Sequence, residues 1–476
     1  MIKNHIQLVI RDSIGFPPTN GQAALTAKLA GFITSPEQDE IFIIKGYAGT
    51  GKTTMVASLV RALRKFKIRS VLLAPTGRAA KVLSNYTGHA AYTIHKKIYR
   101  QKSSADGTGK FVLDKNLYKN TVFLVDEASM ISNQPAEQNI FGSGRLLDDL
   151  VEYVYTGENC RLILVGDTAQ LPPVGLDISP ALEIFQLEQY GFGASESELT
   201  EVVRQSVESG ILINATNLRQ RIQDENPVDG FFRIRLEGFS DIERIPGESL
   251  IEKISDCYNK DGIFETTIIT RSNKRANLYN KGIRNTILFR EDELSKGDLL
   301  MVVKNNYFWI GGNEEMDFIA NGDIAEIATI YGYEELYGFR YADVALRFID
   351  YSDVEIDCKI FLDTLAIETA SFSNEDSKRL FEAVSEDYTD IKNKRKRWEK
   401  IRENPYFNAL QVKFAYAVTC HKAQGGQWKS VFIDHGYVAE DMISKEYLRW
   451  MYTAFTRPIE KLYLVNFNRN FFEPEP

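Results

Sequence analysis

The segment GYAGTGKT, Gly46 to Thr53, follows an unbroken apolar run from Ile41 to Ile44 and precedes a helix-compatible stretch from Met55 to Arg64. No other feature limits the possible folds so tightly. Glycines at 46, 49 and 51 let successive backbone N–H groups curl around an anion, and the helix behind them offers its positive end. In such a loop Lys52 reaches the β and γ phosphates of a nucleoside triphosphate. Thr53 places its hydroxyl on Mg²⁺, a hard cation that prefers oxygen ligands and keeps several waters. The expected nucleotide contacts are Gly46, Ala48, Gly49, Thr50, Gly51, Lys52, Thr53 and Thr54.

A strand feeding a phosphate loop implies an α/β sheet, and further apolar runs supply its other strands. Val71 to Leu73, Val122 to Val125 and Leu162 to Val165 each lead into a polar, chemically distinctive stretch. Continuous apolar runs of this length read as parallel strands buried on both faces, with ligands at their carboxyl ends. A second series, Thr267 to Thr270, Val431 to Ile433 and Leu462 to Val465, predicts a second α/β unit split by a long insertion. Within the insertion, Ile324 to Ile330, Ala342 to Ile349 and Val354 to Phe361 alternate apolar and polar residues, as half-exposed antiparallel strands do, which predicts a small barrel. Ser373 to Arg402 reads as exposed helix ending in the basic run KNKRKRWEKIR, either beside a nucleic-acid path or a solvated face.

At 476 residues and 44% apolar, the chain is long enough for two to four globular domains. Its four cysteines show no CxxC pair, so neither a zinc site nor a disulfide framework is indicated, and a reducing cytoplasm fits. No apolar run is long enough for a membrane span. A net charge of −8 argues mildly against nucleic acid as a partner unless basic residues cluster locally.

The run VFLVDEAS places Asp126 and Glu127 at a strand end. Asp126 can hold Mg²⁺ through water, and Glu127 can polarise the attacking water. Paired acids in that position are often only a solvated strand end, but behind a phosphate loop they are the expected second half of a hydrolytic site. In LVGDTAQLPPVG, Gln170 can orient water or sense the γ phosphate, with a rigid turn as the alternative. Arg204 in LTEVVRQ and Arg457 in YTAFTRP are candidate arginine fingers, since a guanidinium stabilises charge spreading over the equatorial oxygens. Gln22 can pair with adenine N6 and N7 through its amide, which favours ATP.

In this order the phosphate loop, APTGRAAKVL, YTIH, VDEASM, VGDTAQLPPV, LTEVVRQ, TRSNKRAN, VTCHKAQGGQW and YTAFTR resemble the motif series of superfamily 1B DNA helicases, specifically the RecD-like and Dda-like group. The resemblance runs from Gln22 to about Val465. It implies two RecA-like domains with ATP and Mg²⁺ between them, a pin hairpin inserted in the first and an SH3-like barrel in the second. The corresponding ranges are 1–95 and 120–205 for the first domain, 96–119 for the pin, 206–300 and 405–476 for the second domain, and 301–404 for the barrel with its charged helix.

By the same resemblance Pro75, Thr76, Arg78, Thr93 and His95 grip the single strand on the first domain. Thr270, Asn273, Thr419, His421, Lys422 and Gln424 do so on the second. Phe111, on the pin, is expected to stack on the first base pair of the duplex. The role of residues 1–16, which precede the shared pattern, stays open. The implied activity is ATP-dependent translocation 5′ to 3′ on single-stranded DNA with unwinding at junctions, by a monomer. An RNA helicase of the same superfamily and an ATP-switched nucleic-acid-binding regulator are the alternatives. Glu127 and the two arginines weigh against the switch.

Overall fold

The structure is a computed structural model that describes residues 2–101, 111–135, 141–202, 209–224, 230–310, 316, 318–351 and 354–473. Eight strands occupy the first half: β1 (Glu40–Gly46), β2 (Arg69–Ala74), β3 (Ala91–Thr93), β4 (Tyr99–Gln101), β5 (Phe111–Leu113), β6 (Thr121–Val125), β7 (Arg161–Gly166) and β8 (Gly193–Leu199). Six of them form one sheet in the order β3-β2-β6-β7-β1-β8, and every pairing in it is parallel. Its apolar runs are continuous because both faces are covered. Ile41, Ile43, Leu162 and Leu164 enter one core, while Phe42, Ile44, Ile163 and Val165 enter the core on the opposite face.

Residues 2–12 form a helix whose Ile6, Val9 and Ile10 pack into that second core beside the helix Lys52–Lys65. The N-terminal segment therefore braces the helix behind the phosphate loop. Strands β4 and β5 pair antiparallel as the two legs of a hairpin. The expected tip, residues 102–110, lies outside the described residues.

The second half carries β9 (Ile242–Ile245), β10 (Thr266–Thr270), β11 (Leu299–Val302), β12 (Ile324–Leu336), β13 (Phe339–Phe348), β14 (Val354–Phe361), β15 (Leu410–Phe414), β16 (Ala417–Thr419), β17 (Trp428–Asp434) and β18 (Pro458–Val465). A second all-parallel sheet runs β16-β10-β17-β18-β9. Strands β11 to β15 close a barrel. The fold is thus α/β, two RecA-like parallel sheets with a hairpin and an SH3-like barrel inserted.

The barrel departs from its expected range of 301–404. Its closing strand β15 lies at Leu410–Phe414, because Leu300 and Met301 pair with Phe414 and Lys413 while Ile360 and Phe361 pair with Leu410 and Gln411. The charged stretch is also two helices, Asn374–Glu386 and Lys394–Arg402. The Asn393 side chain accepts from the N–H groups of Arg395 and Lys396, so it starts a new helix there.

Candidate nucleotide cleft and nucleic-acid track

Strand β1 delivers the chain to Gly46, and the helix Lys52–Lys65 departs from Gly51. Gly51 has φ 82°, a left-handed conformation that glycine adopts without steric cost, and no side chain caps the helix behind it. The first-turn N–H groups are therefore not satisfied by a side-chain cap. At Gly46 a Cβ would lie 2.6 Å from Lys52 Cγ, so only glycine lets the lysine fold back over the loop. Lys52 Nζ donates to the Gly46 carbonyl at 2.6 Å and sits 3.6 Å from Asp167 Oδ2. Thr53 is exposed and Thr54 half-buried on the same turn. Thr50 is buried, and its hydroxyl donates to the Tyr47 carbonyl, which closes the loop.

Gln22 does not present its amide to a base. It is fully buried: Nε2 donates to the Thr50 carbonyl at 3.1 Å and Oε1 accepts from Thr19 N–H in a capping box. Its amide ties the helix Asn20–Thr34 to the phosphate loop, a local capping signal that the TNGQ spacing already contained.

Strand β6 ends at Val125, which puts Asp126 and Glu127 at the carboxyl edge of the sheet next to β7 and Asp167. Asp126 accepts from the Tyr86 hydroxyl and from Glu127 N–H. Glu127 holds φ at 52°, a strained conformation for a side-chain-bearing residue that is typical of sites where geometry is imposed. Burial pushes its carboxyl upward, opposed chiefly by Arg457, reinforced by Asp126, opposed again by Lys52 and reinforced by Asp167. Asp167 is buried, accepts from Ala169 N–H and faces Lys52. Asp167 is a site residue beyond those expected, and its one signal in the sequence is that it ends an apolar run just as Asp126 does. Gln170 is also buried, and its Oε1 has no protein partner.

The helix Lys445–Phe455 and its flanking residues, which pack beside the second sheet, meet this edge directly. Ala48 N–H donates to the Tyr452 hydroxyl at 2.9 Å, and that hydroxyl donates to Asp167 Oδ2 at 2.7 Å. Burial and then Asp167 hold the Tyr452 phenol well above its ordinary range. Leu171 N–H donates to Thr453 Oγ1 at 2.8 Å, while Gln424 Nε2 donates to the Leu171 carbonyl at 2.7 Å. Arg457 is buried, with Nε on the Thr453 carbonyl at 3.0 Å, Nη1 on the Gly426 carbonyl at 3.3 Å and Nη2 on Thr456 Oγ1 at 2.9 Å. Lys52, Asp126, Glu127, Asp167 and Arg457 thus gather where the two halves meet, and Gln170 is buried next to Leu171, whose backbone bonds across that meeting. Arg204 lies outside the described residues.

The strand-gripping candidates fall on the two sheet edges β3-β2 and β16-β10. Ala74 and Thr93 are register partners, as are Thr270 and Thr419, so Pro75 and Asn273 follow the carboxyl ends of facing edges. Pro75, Asn273 and Thr419 are half-buried and His421 exposed. Thr76 caps the helix Gly77–Thr87, and its Oγ1 would lie 3.2 Å from a Cβ at Gly425, so the edges approach one another here. Lys422 donates to Asn321 of the barrel, and burial, then Lys413, lowers its amine to about 8.

Six candidates are placed otherwise than expected. Thr270 is fully buried and donates to the Ser272 carbonyl, which removes its side chain from any ligand. Gln424 is spent on Leu171 across the cleft. Arg78 stacks 4.0 Å over the Trp428 ring and donates to the Gln427 carbonyl, a cation–π latch between the sheets. Thr93 caps a short helix by accepting from Lys96 N–H and is buried. His95 lies among Tyr99, Phe141 and Phe318, and burial lowers its imidazole to about 4, so the ring is neutral. Phe111 is only 5% exposed, its ring 4.8 Å from Phe141 and 5.1 Å from Tyr307, so it anchors the hairpin base inside the core.

Two family models match the chain, an AAA domain over residues 19–226 and a UvrD-like helicase C-terminal domain over residues 414–465. The chain is similar to the ATP-dependent RecD2 DNA helicase of Deinococcus radiodurans, 26% identical over 61% of this chain and 37% of that protein. It is also similar to the ATP-dependent DNA helicase dda of Enterobacteria phage T4, 26% identical over 54% of this chain and 55% of that one. The chain therefore spans about a third to a half of these relatives. A solved structure of two coordinating Pif1 helicases at forked duplex DNA aligns over 97% of this chain and 95% of that one, at 14% identity and a TM-score of 0.49. With both family models falling on the two sheets that build the cleft, and with its motif series in order, the chain belongs to the superfamily 1B helicases of the RecD-like and Dda-like group.

Proposed function

We propose that this chain is an ATP-driven motor that moves 5′ to 3′ along single-stranded DNA as a monomer and unwinds duplex at single-strand junctions. The observation that carries the reading is the division of one hydrolytic set between two sheets. Lys52, Asp126, Glu127, Asp167 and Gln170 stand on one side, while Tyr452 and Arg457 arrive from the other. A site split in this way makes chemistry and relative movement of the sheets the same event. DNA as the substrate and ATP as the fuel rest on the kinship with RecD2 and Dda, and the 5′ to 3′ polarity on the resemblance of the motif series.

Lys52 and the loop N–H groups hold the β and γ phosphates in this reading. Thr53 and Asp126, both oxygen donors, would hold Mg²⁺, which when bound neutralises charge on the phosphates. Glu127 polarises the attacking water, and Gln170 Oε1, a buried acceptor without a protein partner, orients it. Arg457, and Arg204 with it, stabilises the charge that develops on the transferred group. Closure and opening of the cleft move the sheet edges bearing Pro75 and Thr76 against those bearing Asn273, Thr419, His421 and Lys422. A base-pair step costs about 1.4 kcal/mol on average, small beside the free energy of triphosphate hydrolysis.

The test is ATP turnover with and without single-stranded DNA, followed by unwinding of duplexes with a 5′ or a 3′ tail. Stimulation by DNA and unwinding from the 5′ tail are expected, both abolished in Lys52→Ala. Turnover indifferent to DNA, or unwinding by Lys52→Ala, refutes the reading.

A further inference from the structure

The helix Lys394–Arg402 belongs to no part of the cleft or the strand grips, yet it concentrates charge against the sign of the whole chain. Residues 392–402, KNKRKRWEKIR, hold one acidic residue, Glu399, among seven Lys and Arg, in a chain of net charge −8. Part of this charge is used internally. Arg397 donates to the Thr389 and Ile391 carbonyls, and Lys400 pairs with Glu403 at 2.7 Å. Ile401 is buried and fixes which face looks inward. Lys392, Lys394 and Lys396 are exposed, and no ion pair to them occurs among the described residues. Beside them Trp398 is 41% exposed, its ring packed at a tilt 5.3 Å from Phe381.

Location gives this patch its partner. The carbonyl of Asn408 accepts from Asn306 Nδ2 at 2.7 Å and from Trp309 Nε1 at 2.8 Å, and Asn408 Nδ2 donates to the Arg402 carbonyl at 2.6 Å. Tyr307, between Asn306 and Trp309, packs against Phe111 at the hairpin base. A continuous chain of contacts thus joins the end of the basic helix to the foot of the hairpin. We propose that the exposed face of this helix holds the phosphate backbone of the duplex arm of a DNA fork, ahead of the hairpin. The inference rests on the reading of the chain as a DNA motor. Lysine ammonium groups suit it because they bind phosphates as point charges without reading sequence.

The test compares this chain with its variant Lys392→Ala, Lys394→Ala, Lys396→Ala, all surface changes, the last two inside the helix and compatible with it. Affinity is measured for a forked DNA with a duplex arm and for its single-stranded tail alone, across a salt series. The expected result is a roughly tenfold or greater loss on the fork, with the salt slope on the fork shallower by about 2 to 3, one unit per released phosphate contact. Binding of the tail alone, and stimulation of ATP turnover by it, should be nearly unchanged, because the counterion release lost belongs to the duplex arm. Equal losses on fork and tail, or no loss on either, overturn the proposal. So does a glutamate-rich peptide that binds the wild type but not the variant while fork affinity is unchanged, because the patch is then a protein-docking surface. Failure of single-stranded DNA to stimulate the wild type refutes the motor reading instead, and is scored separately.

Discussion

The Tyr452 hydroxyl lies 2.9 Å from Ala48 N and 2.7 Å from Asp167 Oδ2, so one phenol from a helix of the second half joins the phosphate loop to the carboxylate that faces Lys52. Tyr452 lies in the helix Lys445–Phe455, and Arg457 follows two residues after its end, so the loop and the arginine are tied to one element.

Tyr452→Phe removes this hydroxyl and leaves a half-buried N–H and a buried carboxylate oxygen each short of a partner. The expected cost is about 1–3 kcal/mol of stability, visible as a lower Tm. ATP turnover should fall several-fold while single-strand binding is retained. An unchanged Tm and unchanged turnover would show that the bridge carries nothing.

Asp167→Asn keeps the shape of the side chain and its acceptor for Ala169 N–H but withdraws the negative charge facing Lys52. Turnover should fall about 100-fold or more, the range seen when one preorganised electrostatic group is removed. DNA affinity should be preserved. Steady-state kinetics beside DNA titration checks this, and wild-type turnover in the variant would remove Asp167 from the site.

Asp323, at the mouth of the barrel, accepts from Ala320 N–H at 2.7 Å and the Tyr351 hydroxyl at 3.0 Å. Burial raises its carboxyl from the ordinary 3.8 to about 7. Between those values the folded protein binds the proton and the unfolded chain does not, so this group's stabilisation is complete below pH about 4 and is lost as pH rises through about 7. Asp323→Asn removes that dependence. The stability difference between variant and wild type should grow in the variant's favour from pH 5 to pH 8 by a few kcal/mol at most, each pKa unit being worth about 1.4 kcal/mol. A difference flat in pH, from denaturant melts of both proteins, contradicts the assignment.

Phe111→Ala tests whether that ring serves the core or the DNA. Packed against Phe141 and Tyr307, it should cost about 3–5 kcal/mol when truncated. A ring held out for base stacking would leave the denaturant midpoint nearly unchanged.

Much of the cleft was legible because its chemistry is written in short segments. The loop Gly46–Thr53, the pair Asp126 and Glu127 and the apolar runs before them depend on residues adjacent in the chain, where strand periodicity and loop geometry are local properties. The barrel strands β12 to β14 were legible for the same reason, since alternation along one strand reports one buried face. Strands β3, β9 and β16 are short and held by neighbours far away in sequence, and they left no comparable pattern.

Side-chain partners were decided elsewhere. Gln22, Thr270, Gln424, Arg78 and Phe111 were chosen for what their functional groups can do, and all five are used up by contacts within the protein. Asp167 owes its place to Lys52 and to Tyr452, the latter 285 positions away in the chain, a relation that no short segment contains. The amino-acid sequence by itself determined the phosphate loop, the two parallel sheets and the inserted barrel, because each rests on residues close along the chain. Only the tertiary structure decided which polar groups stay available to a ligand, because satisfying a buried donor or acceptor depends on what the fold brings beside it.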